Sequence, residues 1–231
     1  MKMRNLSLVH HVAEPREKSQ GKAPLIVLLH GIGSNEDDLY SLAPYLDGRF
    51  MIVSARAPVV MGAGSFGWFN IEFTPRGMVA DLEEAERSQL IISKFIDELI
   101  DTYHADPACV FLMGFSQGAM MSLSVALTRP ERVAGVVAMS GRLPSQALAQ
   151  FSGPEALRGM PIFVSHGIYD PLLPIDGGRD CRDKLKALPV ELTYREYPMG
   201  HEVSMESLRD VAAWLSSTLD ARCDTKGASP R

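Results

Sequence analysis

Cysteine is scarce in this sequence, long apolar runs are absent, and positive charge is in deficit. Its 231 residues include three cysteines, Cys109, Cys181 and Cys223, an odd number without metal-ligand spacing. Neither a disulfide framework nor a cysteine-held metal is expected. No H-E-x-x-H motif and no Cys/His cluster occurs, so no catalytic metal is expected either. No stretch approaches the eighteen or more apolar residues of a membrane span. The opening Met1-Lys2-Met3-Arg4-Asn5-Leu6-Ser7-Leu8-Val9-His10-His11 carries two cations. Its apolar part is too short for a secretory signal, which leaves little meaning in the glycosylation pattern at Asn5. The net charge is −5 and gives no electrostatic footprint for nucleic acid or an anionic membrane. What remains is 46% hydrophobic and 22% charged, an ordinary globular composition with enough length for one sizeable core. A reduced, cytoplasmic protein is expected.

The sequence does contain a regular alternation. A strand is expected at 192–197, and strand-length apolar runs occur at 25–29, 50–55, 109–115, 133–139 and 161–167. Their continuity suits strands buried on both faces. Helical patterns lie between them, at 39–46, 79–104, 117–128, 176–188 and 206–219. The second carries an apolar stripe of Ile92, Phe95, Ile96, Leu99, Ile100 and Tyr103, and Pro130 stops the third. A further short strand is expected at 6–12, and 59–78, glycine-rich and aromatic without a period, reads as a long loop. Such loops are commonly functional. Strands alternating with helices imply a mainly parallel central sheet with helices on both faces. The expectation is one domain over 1–219, no separate cap domain, and a polar tail over 220–231 that frays.

The run Cys109-Val110-Phe111-Leu112-Met113-Gly114-Phe115-Ser116-Gln117-Gly118-Ala119 passes from strand to helix at a serine between two glycines. This is the G-x-S-x-G arrangement of a nucleophile on a sharp turn. The glycines are needed where strand and helix approach closely, and the first helical N–H groups favour developing negative charge. At glycine and serine usage of ~7% each, the pattern arises by chance in roughly one chain in ten of this length, so the rest of the sequence must supply partners. Ligands in such sheets sit at the carboxyl ends of the strands. Ser116, Asp170, His201 and the turn His30-Gly31-Ile32-Gly33 each follow a strand, and the chain order Ser, Asp, His is that of α/β-hydrolases. Serine needs a base, for which His201 serves, and the imidazolium needs an oriented counter-charge, for which Asp170 serves. The tetrahedral oxyanion needs two N–H donors, assigned to Gln117 and Ile32, each worth ~10²–10³ in rate. Asp176, Asp180 and Asp183 compete with Asp170 as the acid, though Asp176 suits a helix start better. His30 and His166 read as loop-bracing residues, and His10, His11 and His104 remain unassigned.

The sequence resembles the bacterial carboxylesterases and lysophospholipases related to acyl-protein thioesterases, over residues 25–215. The resemblance rests on Leu29-His30-Gly31-Ile32-Gly33, Gly67-Trp68-Phe69, Gly114-Phe115-Ser116-Gln117-Gly118-Ala119, His166-Gly167-Ile168-Tyr169-Asp170-Pro171-Leu172-Leu173-Pro174 and Gly200-His201-Glu202-Val203. It implies Ser116, Asp170 and His201 as the triad, with Ile32 and Gln117 as oxyanion donors. One departure is Asn70, where the family pattern has an acidic residue.

Gly62-Ala63-Gly64-Ser65-Phe66-Gly67 formally matches G-x-G-x-x-G, but no helix opens on it, so no dinucleotide and no other cofactor is implied. Phe66, Trp68, Phe69 and Phe73, with Leu172, Leu173 and Val203 on facing loops, are the expected substrate wall. The function expected is hydrolysis of carboxylic esters with small or flexible acyl groups, in an open cleft, through an acyl-Ser116 intermediate. The alternatives are an acyl-protein or acyl-CoA thioesterase and, in another class, a non-catalytic binding module on the same fold. A dienelactone-type hydrolase would carry cysteine at position 116. The partner expected is a small ester, for a monomer or homodimer.

Overall fold

A computed structural model describes residues 6–17, 21–74 and 77–227. In chain order the strands are β1 (His10–Ala13), β2 (Leu25–Leu29), β3 (Met51–Ala55), β4 (Val59–Gly62), β5 (Ser65–Gly67), β6 (Ile71–Thr74), β7 (Gly77–Ala80), β8 (Val110–Phe115), β9 (Gly135–Met139), β10 (Pro161–Gly167) and β11 (Glu191–Tyr197). The helices are α1 (Asp37–Tyr40), α2 (Leu82–Tyr103), α3 (Gln117–Thr128), α4 (Ser145–Ala149), α5 (Pro154–Leu157), α6 (Ile175–Lys186) and α7 (Met205–Gly227).

The central sheet runs β1-β3-β2-β8-β9-β10-β11. Only β1 is antiparallel, pairing with β3 in the register His10–Ala55; the other neighbours are parallel. Side-chain alternation explains the continuous apolar runs. Leu25, Val27 and Leu29 face one core, which α2 and α3 cover with Phe95, Leu99 and Leu123. Ile26 and Leu28 face the other, which α1 and α7 cover with Leu39, Leu208, Val211 and Leu215. Each fully buried Leu, Val or Phe contributes about 1.5–3 kcal/mol relative to exposure.

Helix α2 starts where Asp81 accepts the Glu84 N–H at 2.9 Å, a side-chain cap that satisfies an orphan donor. It ends at His104, whose φ of 56° leaves the helical region. Helix α7 runs on to Gly227, past Leu219 where the apolar stripe stops, so the tail expected to fray from 220 is helical over its described part. The first strand begins at His10 rather than Leu6.

The segment read as a long loop is two β-hairpins, β4 with β5 and β6 with β7. The first turns at Gly64, whose φ of +71° suits glycine. The second pairs Ile71 with Ala80. Their strands are three or four residues long, too short for a visible period of two. Both hairpins follow β3 and precede α2, and they form a wall at the carboxyl edge of the sheet.

Candidate active site

Between β8 and α3 stands Ser116, with φ 52° and ψ −115°. That conformation costs a non-glycine residue about 1–3 kcal/mol. The Ser116 N–H donates to the Met139 carbonyl at 2.8 Å and anchors the turn to β9. The flanking glycines permit the approach: a Cβ on Gly118 would lie 1.9 Å from the Leu29 carbonyl oxygen, and one on Gly114 would lie 2.2 Å from that of Gly118.

Three residues far apart in sequence meet here. Ser116 Oγ lies 2.9 Å from His201 Nε2, and His201 Nδ1 lies 2.6 Å from Asp170 Oδ2. The other Asp170 oxygen accepts the N–H groups of Leu172 and Leu173 at 2.9 and 2.8 Å. An ionised carboxylate only accepts, so Nδ1 donates to it and the Nε2 lone pair faces the serine hydroxyl. Asp170 has a 0% exposed side chain against 13% for His201, and the Phe115 ring lies 4.9 Å from the imidazole. The competing acids are elsewhere. Asp176 is 92% exposed beside Arg179, and Asp180 and Asp183 pair with Lys184 and Arg182 on the outer face of α6.

The turn after β2 runs alongside the serine, where a Cβ on Gly31 would come within 3.4 Å of Ser116 Cβ. His30 braces it. Its Nδ1–H donates to the Gly31 carbonyl at 2.7 Å, and its Nε2 accepts the Ala57 N–H at 3.0 Å. Burial holds the His30 pKa below the ordinary histidine value, which suits a neutral ring that must both donate and accept. The next turn residue bonds outward, Gly33 N–H donating to the Phe66 carbonyl at 2.8 Å. The N–H groups of Ile32 and Gln117 have no acceptor among the described residues, and for Gln117, first in its helix, none exists within the helix. His166 Nε2–H donates to the Leu173 carbonyl at 2.7 Å and braces the loop that carries Asp170.

The sequence pattern of the phospholipase/carboxylesterase family matches residues 10–219. The chain belongs to this family. It is similar to acyl-protein thioesterase 1 of Kluyveromyces lactis, 31% identical over 87% of this chain and 95% of the relative. It is also similar to a probable inactive carboxylesterase of Oryza sativa subsp. japonica, 27% identical over 89% of each chain. The crystal structure of the Bacillus cereus carboxylesterase superposes with a TM-score of 0.80 at 23% identity, covering 93% of this chain and 96% of that one. The α/β-hydrolase fold expected from the order Ser, Asp, His is the fold observed.

Where the family pattern has an acid after the aromatic pair, Asn70 bonds to one. Its backbone N–H and its Nδ2 donate to the two Glu84 oxygens at 2.7 and 3.2 Å, so α2 supplies the carboxylate. In front of Ser116 the chain leaves a cleft of about 530 Å³. Of the expected wall residues, Phe69, Leu172 and Leu173 line it. Three others do not. Trp68 is fully buried beneath the hairpins, its indole N–H donating to the His30 carbonyl at 2.9 Å. Phe66 lies under the Arg56 guanidinium at 4.6 Å and bonds to the turn after β2 through its backbone. Val203 lines a neighbouring hollow with Leu39, Leu42, Phe115 and His201. Closeness in sequence to a site residue says nothing about side-chain direction, which corrects all three. The Phe73 side chain lies outside the described residues.

No pattern in the sequence pointed to Ile71, Ala80 and Met120, which complete the apolar wall; Arg142 lines the same cleft. The Ile71–Ala80 pair exists only through hairpin register. Arg142 had a readable signal, since it follows a strand at the same sheet edge. Gln117 also acts through its side chain. Its Oε1 accepts the Trp68 N–H at 2.7 Å and its Nε2 donates to the Phe69 carbonyl at 2.6 Å, tying the hairpin wall to the start of α3. Among the described residues no group of three or more His, Cys, Asp or Glu side chains is placed to hold a metal, and no helix is long and apolar enough to cross a membrane.

Proposed function

We propose that this chain is a serine esterase that hydrolyses carboxylic esters of small or flexible acyl groups through an acyl-Ser116 intermediate. The observation that carries the reading is the Ser116–His201–Asp170 relay, at 2.9 and 2.6 Å, opening on an apolar cleft. In this reading His201 Nε2 takes the hydroxyl proton as Oγ attacks the ester carbonyl. Asp170 holds the imidazolium in place. The carbonyl oxygen becomes an oxyanion facing the Ile32 and Gln117 N–H groups. Collapse expels the alcohol, which receives the proton from His201. Water then gives its proton to His201, attacks the acyl carbonyl, and the second collapse restores Ser116. Phe69, Ala80 and Met120 separate the cleft from a second hollow of about 220 Å³, and so bound one end of the substrate. No cofactor takes part. The buried thiols Cys109 and Cys181, neither of them in a disulfide among the described residues, suit a reducing cytoplasm.

A fluorophosphonate probe tests the nucleophile. One adduct, on Ser116 and absent from Ser116→Ala, is expected; an adduct surviving that substitution, or none in the native protein, excludes the mechanism and favours a binding module. The Kluyveromyces lactis relative, named a thioesterase, supports a second reading in which the leaving group is a thiol. Rates on short oxygen esters, long-chain lysolipids and acyl thioesters decide between them, with the short oxygen esters expected to be fastest.

A further inference from the structure

Arg142 is a cation without a counter-charge in the cleft. Three observations fix its situation. The chain leaves β9 through Ser140, whose φ is 50°. It then passes Gly141, where a Cβ would lie 3.2 Å from the Ser116 carbonyl oxygen, so residue 142 is delivered beside the nucleophile's turn. The Nε of Arg142 is buried and has no hydrogen-bond partner, and no described carboxylate forms an ion pair with the guanidinium. Finally, the guanidinium rests on Gly177 of α6, where a Cβ would come 3.0 Å from Nε and 3.6 Å from Cζ. Four arginines show the contrast: Arg49, Arg56, Arg179 and Arg182 each hold a carboxylate. The acid next to Gly177, Asp176, is turned to solvent and to Arg179.

We infer that Arg142 is a carboxylate-binding residue of the cleft, and that the substrates are esters carrying a free carboxylate, such as half-esters of short dicarboxylic acids. The inference rests on the esterase reading above and adds the substrate class. A guanidinium is charged at every working pH and presents N–H donors in a planar fork that fits a carboxylate through two parallel hydrogen bonds. Apart from Ser116, Gln117 and His201 the remaining cleft wall is apolar, so a single negative charge is compensated beside Arg142, whereas the second charge of a phosphate would have no partner there.

The test is a specificity ratio, which does not depend on the folded fraction of a variant. For charge on the acyl side the ratio is kcat/KM for p-nitrophenyl hemiglutarate over p-nitrophenyl valerate. For charge on the alcohol side it is p-acetoxybenzoate over phenyl acetate. In Arg142→Met one of these ratios is expected to fall about 10- to 100-fold, the usual loss when a hydrogen bond to a charged group is removed. Arg142→Lys, which keeps the charge but not the fork, is expected to fall between. Both ratios unchanged in Arg142→Met overturns the assignment. If the native protein turns over none of these esters and takes no fluorophosphonate, the esterase reading fails, and calorimetry with glutarate then judges Arg142 alone. Binding to Ser116→Ala that weakens about tenfold or more in Ser116→Ala/Arg142→Met supports it; equal affinity, or no binding to either, overturns it.

Discussion

Two neighbouring strands of the sheet, β8 and β9, end alike. Each passes into a serine with positive φ, 52° at Ser116 and 50° at Ser140. Each serine N–H donates at 2.8 Å to a carbonyl on the next strand, Met139 or Ser165. Each is followed by a glycine, Gly118 or Gly141, where a Cβ would collide. The hydroxyls differ. Ser116 Oγ meets an imidazole at the floor of a cleft, whereas Ser140 Oγ is buried with no partner. Strain and small neighbours are therefore what this sheet edge asks of any chain that turns sharply as it leaves a parallel strand. A base within reach and an opening in front of the hydroxyl distinguish one serine from the other.

The widest separation is expected in activity. Ser116→Ala should lower kcat/KM on a p-nitrophenyl ester by about 10⁴-fold or more, and Ser140→Ala by less than about threefold, since it removes a hydroxyl that bonds to nothing. A comparable loss in both would break the comparison. Gln117→Ala comes next. It leaves the Trp68 N–H and the Phe69 carbonyl buried and unpaired, at about 1–3 kcal/mol for each group. Misplacement of the wall should cost about 10- to 100-fold in kcat/KM. Urea denaturation and kinetics on the same preparations check both, and a stability equal to that of Ser116→Ala would remove the clamp from the account.

The third strand end, at His30, gives a pH signature. Burial holds its folded pKa below the unfolded value of about 6.5. Its contribution is fully present above that value and is lost as pH falls from it toward the folded pKa. Between about pH 7.5 and about pH 5, the native protein should therefore lose urea stability relative to His30→Gln, which keeps a donor and an acceptor; parallel profiles would show that His30 takes up protons freely. The smallest effect is expected from Ser140→Gly. It relieves the positive φ and removes an unsatisfied hydroxyl for a net gain of about 0.5–1 kcal/mol in thermal or urea unfolding. A loss would mean that the Ser140 hydroxyl has a structural role.

Legibility in the sequence followed side-chain direction. The core strands could be read because Leu25 to Leu29 send consecutive side chains into two separate cores, which leaves an unbroken apolar run. The positions of Ser116, Asp170 and His201 could be read because each follows a strand pattern, apolar before Ser116 and Asp170 and mixed before His201, and parallel topology places those ends along one edge. The hairpins were hidden because their strands are only three or four residues long, and the link between them divides its side chains between core and cleft, as Trp68 and Phe69 show within a single step. Edge strand β1, with His10 and His11 in place of apolar residues, had no run to mark its start. The side-chain role of Gln117 depends on a contact 48 residues away, which no local pattern records.

That contact also determines where this protein is free to drift. Any residue at 117 offers a backbone N–H, but the simultaneous donor and acceptor that Trp68 and Phe69 require restrict the position to an amide of this length. Ile71 and Ala80 lie further out on the same wall, facing the cleft from a hairpin whose backbone bonds are its own. The shape of the cleft can change by exchange of those two side chains, while the residues around Ser116 stay as they are.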